Sequence, residues 1–141
     1  PPLGYRSLGP NRARFYAGAD YLEKANDEII CLVMVEDIRT VDHLEEMATV
    51  PGIDGFYIGP ADLAISLGKS PSNYLEDDEH AKACQKVLDI SKANGLVPGV
   101  HCSSLNEALQ RFEQGFQICP VATDAGSLAS MGATAIQAAK S

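Results

Sequence analysis

The chain has 141 residues, the size of one domain, and can bury about two thirds of its unfolded surface. A 45% hydrophobic and 21% charged composition suits a globular protein, no apolar run approaches the ~20 residues of a membrane helix, and a net charge of −8 repels nucleic-acid backbones. The four cysteines, Cys31, Cys84, Cys102 and Cys119, form no CxxC pair and read as free thiols in a reducing cytoplasm.

Opening on Pro1 and Pro2 with no targeting leader, the sequence reads as cut from something longer. Gly4, Gly9 and Pro10 predict a loop, followed by a helical stretch through Tyr16, Tyr21, Leu22 and Ala25. From Ile29 to Glu36, IICLVMVE is the nearly continuous apolar run of a strand buried on both faces of a parallel sheet. Thr40 is placed to cap a helix through Leu44, Met47 and Ala48.

A second strand, GFYIG at Gly55 to Gly59, passes directly into Pro60, a residue suited to the first helical position, and a short helix through Leu63 to Leu67. After a polar stretch, Cys84, Val87, Leu88 and Ser91 fall on one face of a longer helix that closes near Asn94 and Gly95. The third strand spans Leu96 to Cys102. Ser104 and Glu107 then have capping-box spacing for a helix carrying Leu105, Ala108, Leu109 and Phe112.

The fourth strand, Phe116 to Ala122, precedes Asp124 and a final helix with Leu128, Met131 and Ala135 on one side. Pro98 and Pro120 weaken the last two strands, because proline donates no ladder hydrogen bond. These are four β/α units in series after a leading loop-helix segment, half the number in an eight-stranded barrel. The other units would come from further sequence or a partner chain, unless the sheet is open. Exposed sheet edges predict an oligomer.

In parallel β/α architectures, reactive groups gather at the C-terminal ends of strands. Glu36 closes the first strand and Asp62 lies just past the second, so two carboxylates meet on neighbouring points of that edge. Such a pair, completed by water, suits Mg²⁺ or Mn²⁺ and leaves positions for the oxygens of a 2-oxo acid. The alternative is that both are solvated strand ends. The Gly59-Pro60-Ala61-Asp62 turn offers the amides of Ala61 and Asp62 to a substrate carboxylate.

The segments PPLGYRSLGPNRA at 1 to 13, VPGIDGFYIGPADLAISLG at 50 to 68 and GFQICPVATDAGSL at 115 to 128 resemble the HpcH/HpaI aldolase family, the 4-hydroxy-2-oxoheptanedioate aldolase-like proteins, in order and spacing. The resemblance spans essentially the whole chain, 1 to 141, and implies the C-terminal half of a (β/α)8 TIM barrel, strands five to eight. It implies a class II lyase that reversibly cleaves a 4-hydroxy-2-oxo acid to pyruvate and an aldehyde through an enolate, with Mg²⁺ or Mn²⁺, and Co²⁺ as a further candidate. By the same resemblance Glu36 and Asp62 are metal ligands and the Ala61 and Asp62 amides form the oxo-acid site. The family's catalytic histidine and substrate-gripping arginine would precede Pro1. Met34 stands where many members carry glutamine, and Leu3 and Ser7 replace an arginine and a glycine, while Arg6 matches. The alternatives are an inactive half-barrel that acts only by assembly with another chain, and a related acyl-CoA lyase.

Among the remaining residues, His101 ends the third strand and is a candidate base or substrate contact, set against a plain hydrogen-bonding role. Arg6 is a candidate contact for an anionic substrate. His43 and His80 fall in charged helical surroundings and read as solvated. Cys102 points opposite to His101, so a nucleophilic pair is discounted. Asp37 points away from Glu36 and reads as a helix-entry or salt-bridge residue, Asp124 is divided between loop and site roles, and Glu76 to Glu79 reads as a solvated helix start. No lysine lies on a predicted strand, which argues against Schiff-base chemistry.

Overall fold

Two units, Pro1–Ile30 and Cys31–Ser141, make up the chain in a computed structural model that describes Gly4, Gly9 and residues 11–140. The first unit contains α1 (Asn11–Ala17) and α2 (Tyr21–Glu28), as the helical pattern predicts. Gly18 ends α1 at a φ of +84°, with its N–H donating to Arg14 O. Arg6, Leu3 and Ser7 lie outside the described residues.

In the second unit, β1 (Leu32–Val35) leads to α3 (Ile38–Asp42) and α4 (Leu44–Met47), and β2 (Gly55–Ile58) to α5 (Pro60–Ser66). A 3-10 turn at Tyr74–Glu76 precedes α6 (Asp78–Ala93), β3 (Val97–Val100), α7 (Leu105–Gln114) and α8 (Asp124–Lys140). The strands form a parallel sheet in the order β1-β2-β3, with Val35, Ile58 and Val100 in one row of the register. This is an α/β fold. The predicted fourth strand is reduced to one bridge, Gly99 to Ile118, because Pro120 has no N–H with which to extend the ladder.

Strand alternation separates two faces. Val35, Phe56, Ile58 and Val100 have no solvent exposure and pack with Leu44, Leu63, Val87 and Leu88 into the core. Met34, Tyr57 and Gly99 share the opposite face, where Met34 is 50% exposed, so β1 is covered on one face and not on both as its apolar run predicts. Each fully buried Phe or Leu contributes about 1.5–3 kcal/mol.

The predicted face of α6, Cys84, Val87, Leu88 and Ser91, is buried. Asp37 caps α3 by accepting from Arg39 N, which places Thr40, the predicted cap, inside the helix. Ser104 caps α7 by accepting from Glu107 N, and Gly115 closes it in the left-handed region. The buried face of α7 carries Glu107, Ala108 and Arg111, while Leu105, Leu109 and Phe112 are exposed, so the predicted stripe faces outward apart from Ala108. Leu128 and Met131 on α8 are exposed too. Among the described residues no helix is long and apolar enough to cross a membrane.

Candidate functional site

Backbone pairing sets the row just beyond the strand ends. Gly59 N donates to Val35 O and His101 N donates to Ile58 O, each at 3.0 Å, which aligns Glu36, Gly59 and His101 across the C-terminal edge of the sheet. A cavity of about 410 Å³ opens there, and its lining includes Glu36, Ala61, Asp62 and His101. Four of the sequence-predicted site residues are thus brought together, and Arg6 falls outside the description.

Gly59 caps α5 with Pro60 at its start, and the first helical bond runs from Leu63 N to Gly59 O. The amides of Ala61 and Asp62 therefore lack intrahelical acceptors. Gly59 also leaves room for Glu36, whose Oε2 would lie 2.9 Å from a Cβ added there. Among the described residues no ion pair engages Glu36 or Asp62. Asp37, by contrast, pairs with Arg39, whose hydrogen bonds hold its carboxyl down at about 2. That is the helix-entry and ion-pair role predicted for it. Asp124 begins α8 and accepts from Ala125 N, outside the cavity lining.

Sequence reasoning misplaces His80. It is 1% exposed, not solvated: α6 turns it inward, where Nε2 lies 3.0 Å from Pro60 O and the ring packs on Tyr74 at 5.1 Å. Burial pushes its pKa below the usual 6.5 and favours the neutral ring. The spacing of His80 from Cys84, Val87, Leu88 and Ser91 on the helix could have disclosed this, since four and seven residues return to the same face.

Beside it lies Glu107, which the sequence marks only as a capping-box residue and the structure buries. Glu107 accepts from Tyr74 OH at 3.2 Å and from Ser103 N and Oγ at 2.8 Å each, with Arg111 Nη2 3.8 Å away. Tyr74 and Ser103 also line the cavity, so this network braces its wall. Burial raises the thiols of Cys84 to about 11 and Cys102 to about 12, leaving both protonated and weakly nucleophilic at neutral pH. Cys31 is exposed and Cys119 buried, and all four cysteines are free.

The fold and site define a parallel α/β protein with acidic side chains and free helix-start amides at the C-terminal ends of its strands. A family model described as HpcH/HpaI aldolase/citrate lyase matches residues 2–130, and the chain belongs to that family. It is 34% identical over 129 residues to a hydroxypyruvate/pyruvate aldolase of Rhizorhabdus wittichii, covering 92% of this chain and 51% of the relative. It is 33% identical over 132 residues to a 4-hydroxy-2-oxo-heptane-1,7-dioate aldolase of Shigella sonnei, covering 92% and 50%. A solved HpcH/HpaI aldolase/citrate lyase family protein from Burkholderia cenocepacia superposes with a TM-score of 0.80 at 32% identity, over 99% of this chain and 55% of that one. A solved citrate synthase superposes at 0.73 with 27% identity, over 99% and 53%. The chain spans about half the length of the relatives it matches.

Proposed function

We propose that the protein carrying this chain is a divalent-metal-dependent aldolase that reversibly cleaves a 4-hydroxy-2-oxo acid to pyruvate and an aldehyde, and that residues 1 to 141 are the C-terminal half of its (β/α)8 barrel. The observation that carries this reading is the single cavity lined by Glu36, Ala61 and Asp62. The sheet face bearing Met34 and Tyr57 is the one a barrel would turn toward its interior.

The donor set fits a hard cation. Two carboxylates completed by water are what Mg²⁺ or Mn²⁺ takes. Glu36 and Asp62 would hold the cation, which when bound polarises the keto group of the 2-oxo acid. The Ala61 and Asp62 amides orient the substrate carboxylate, and Met34 presents an apolar wall with no hydrogen bond to offer it. The substrates are small molecules, and we place the protein in the cytoplasm as a homo-oligomer.

The citrate synthase neighbour and the family's citrate lyase members favour one second reading, acyl-CoA chemistry at the same carboxylates. Full-length protein with Mg²⁺ or Mn²⁺ is to be assayed for pyruvate release from 4-hydroxy-2-oxo acids and, separately, for cleavage of hydroxyacyl-CoA thioesters. Pyruvate from the first alone supports the aldolase, and thioester cleavage alone replaces it. Glu36→Ala or Asp62→Ala is expected to abolish Mn²⁺ binding in calorimetry, and unchanged binding in both refutes the metal assignment.

A further inference from the structure

On α6, His80 stands one turn before Cys84 and two turns before Val87 on the face turned to the core, where an apolar side chain would satisfy packing. A buried imidazole costs stability unless its nitrogens find partners, and here both do. Nε2 lies 3.0 Å from Pro60 O, and Nδ1 lies 3.7 Å from Cys84 Sγ. A carbonyl only accepts, so Nε2 carries the hydrogen and Nδ1 is left to accept from the Cys84 thiol, which burial keeps protonated. The hydrogen bonds therefore run in one direction, from Cys84 through the ring to Pro60.

Pro60 has no N–H, so its carbonyl is the backbone group by which the core can hold it. That carbonyl shares a planar peptide unit with the amide of Ala61, and Asp62 follows directly. On the other side of Pro60, Gly59 N donates to Val35 O at 3.0 Å, and Gly59 has to stay bare beside Glu36. α5 is tied to α6 again past its far end, where Lys69 Nζ meets Asp77 Oδ2 at 3.4 Å and Glu79 Oε2 at 3.0 Å. Of these two ties, the His80 bond is the one at the end of α5 where Pro60, Ala61 and Asp62 line the cavity.

We propose that His80 is a positioning residue for the cation site: from the core side it fixes the plane of the Pro60–Ala61 peptide, and through it the place that Asp62 and the Ala61 amide take on the cavity wall. This rests on the reading of Glu36 and Asp62 as cation ligands, and adds to it a residue that touches neither cation nor substrate. Holding a ligand in place contributes to affinity because the site then needs no reordering when the cation arrives.

The test is Mn²⁺ calorimetry on full-length protein, comparing His80→Met with His80→Gln after circular dichroism has shown each to be folded. Both replacements are unbranched and of similar length, so they disturb packing alike, but glutamine alone carries an N–H donor for Pro60 O. His80→Met is expected to weaken Mn²⁺ binding about tenfold, and His80→Gln to stay within about threefold of wild type. His80→Leu serves as a second variant without a donor and should match His80→Met. At saturating Mn²⁺, His80→Met should raise KM for a 4-hydroxy-2-oxo acid with kcat little changed, the mark of lost ground-state binding. A merely structural histidine would lower the stability of all three variants and leave their Kd values alike. Donor-free variants that bind Mn²⁺ within about twofold of wild type overturn the proposal alone, as does a His80→Gln as weak as His80→Met. A wild type that binds no Mn²⁺ overturns the cation reading, and the positioning role with it.

Discussion

Gly59 and Glu36 approach so closely that a methyl group on the glycine would lie 2.9 Å from Glu36 Oε2 and 3.2 Å from Glu36 Cβ. The φ of Gly59 is −95°, so the constraint is space and not backbone conformation. Gly59→Ala should therefore leave the fold intact and displace the Glu36 carboxylate from its place on the cavity wall. Affinity for Mn²⁺ is expected to fall about 10- to 100-fold, the usual effect of disturbing the orientation of a metal ligand. Calorimetry with the full-length protein reads this directly, and an unchanged Kd would separate Gly59 from the cation site.

The bond between His80 Nε2 and Pro60 O ties α6 to the turn that presents Ala61 and Asp62. His80→Leu removes it, and the loss of that one hydrogen bond should cost about 0.5–1.5 kcal/mol in urea unfolding. The pH dependence follows from the depressed pKa of the folded state. Between the folded pKa and the unfolded value near 6.5 the unfolded chain binds more protons, so the neutral ring's stabilisation is fully present above that value. It is lost as pH falls through the window toward the folded pKa. Unfolding midpoints from pH 8 to pH 5 should show this decline in the wild type and a smaller one in His80→Leu. Parallel curves would contradict the assignment.

Glu107 is 3% exposed and accepts hydrogen bonds from Tyr74 and Ser103. Replacing it by alanine leaves Arg111 and the Tyr74 hydroxyl without that partner, and stability should drop by about 3–5 kcal/mol, the cost of breaking a buried pair. Glu107→Gln retains the acceptor oxygen and should lose less. Denaturant unfolding of both variants distinguishes this network from a dispensable surface pair, in which the two would behave alike.

Leu128 and Met131 on α8 are each 71% exposed, and with Leu105, Leu109 and Phe112 on α7 they leave substantial apolar area in water. The proposed homo-oligomer would cover such area. Light scattering of the full-length protein should report more than one copy, and Leu128→Glu with Met131→Glu should shift it toward the monomer. A monomeric wild type would count against assembly.

Much of the frame was legible before the structure. The apolar runs at Leu32–Val35, Gly55–Ile58 and Val97–Val100 stand out because strands buried against helices need continuous apolar character. The Pro60 helix start and the Ser104 cap are equally local, depending on one residue's backbone freedom or side-chain acceptor. Glu36 and Asp62 were found because a strand's end is readable in sequence and parallel strands send their ends to one edge.

What escaped the sequence depends on partners distant along the chain. His80 looked solvated among acidic neighbours, but its environment is set by Pro60, 20 residues away, and by Tyr74. Glu107 read as a capping residue because the Tyr74 hydroxyl that helps bury it is 33 residues upstream. The exposed stripe of α7 shows the same limit from the other side: apolar spacing establishes that one face is alike, not which face meets the core.

The sequence by itself therefore determined the parallel β/α order, the family and the placement of Glu36 and Asp62 at one strand edge, since these follow from local periodicity and from motifs contiguous in the chain. Tertiary structure decided that Tyr57 reaches His101 over Gly99, that His80 grips the Pro60 turn, and that the fourth run adds a bridge and not a strand. Each of these is a through-space relation between side chains or backbones that different strands and helices bring together, and no one-dimensional spacing encodes their distance.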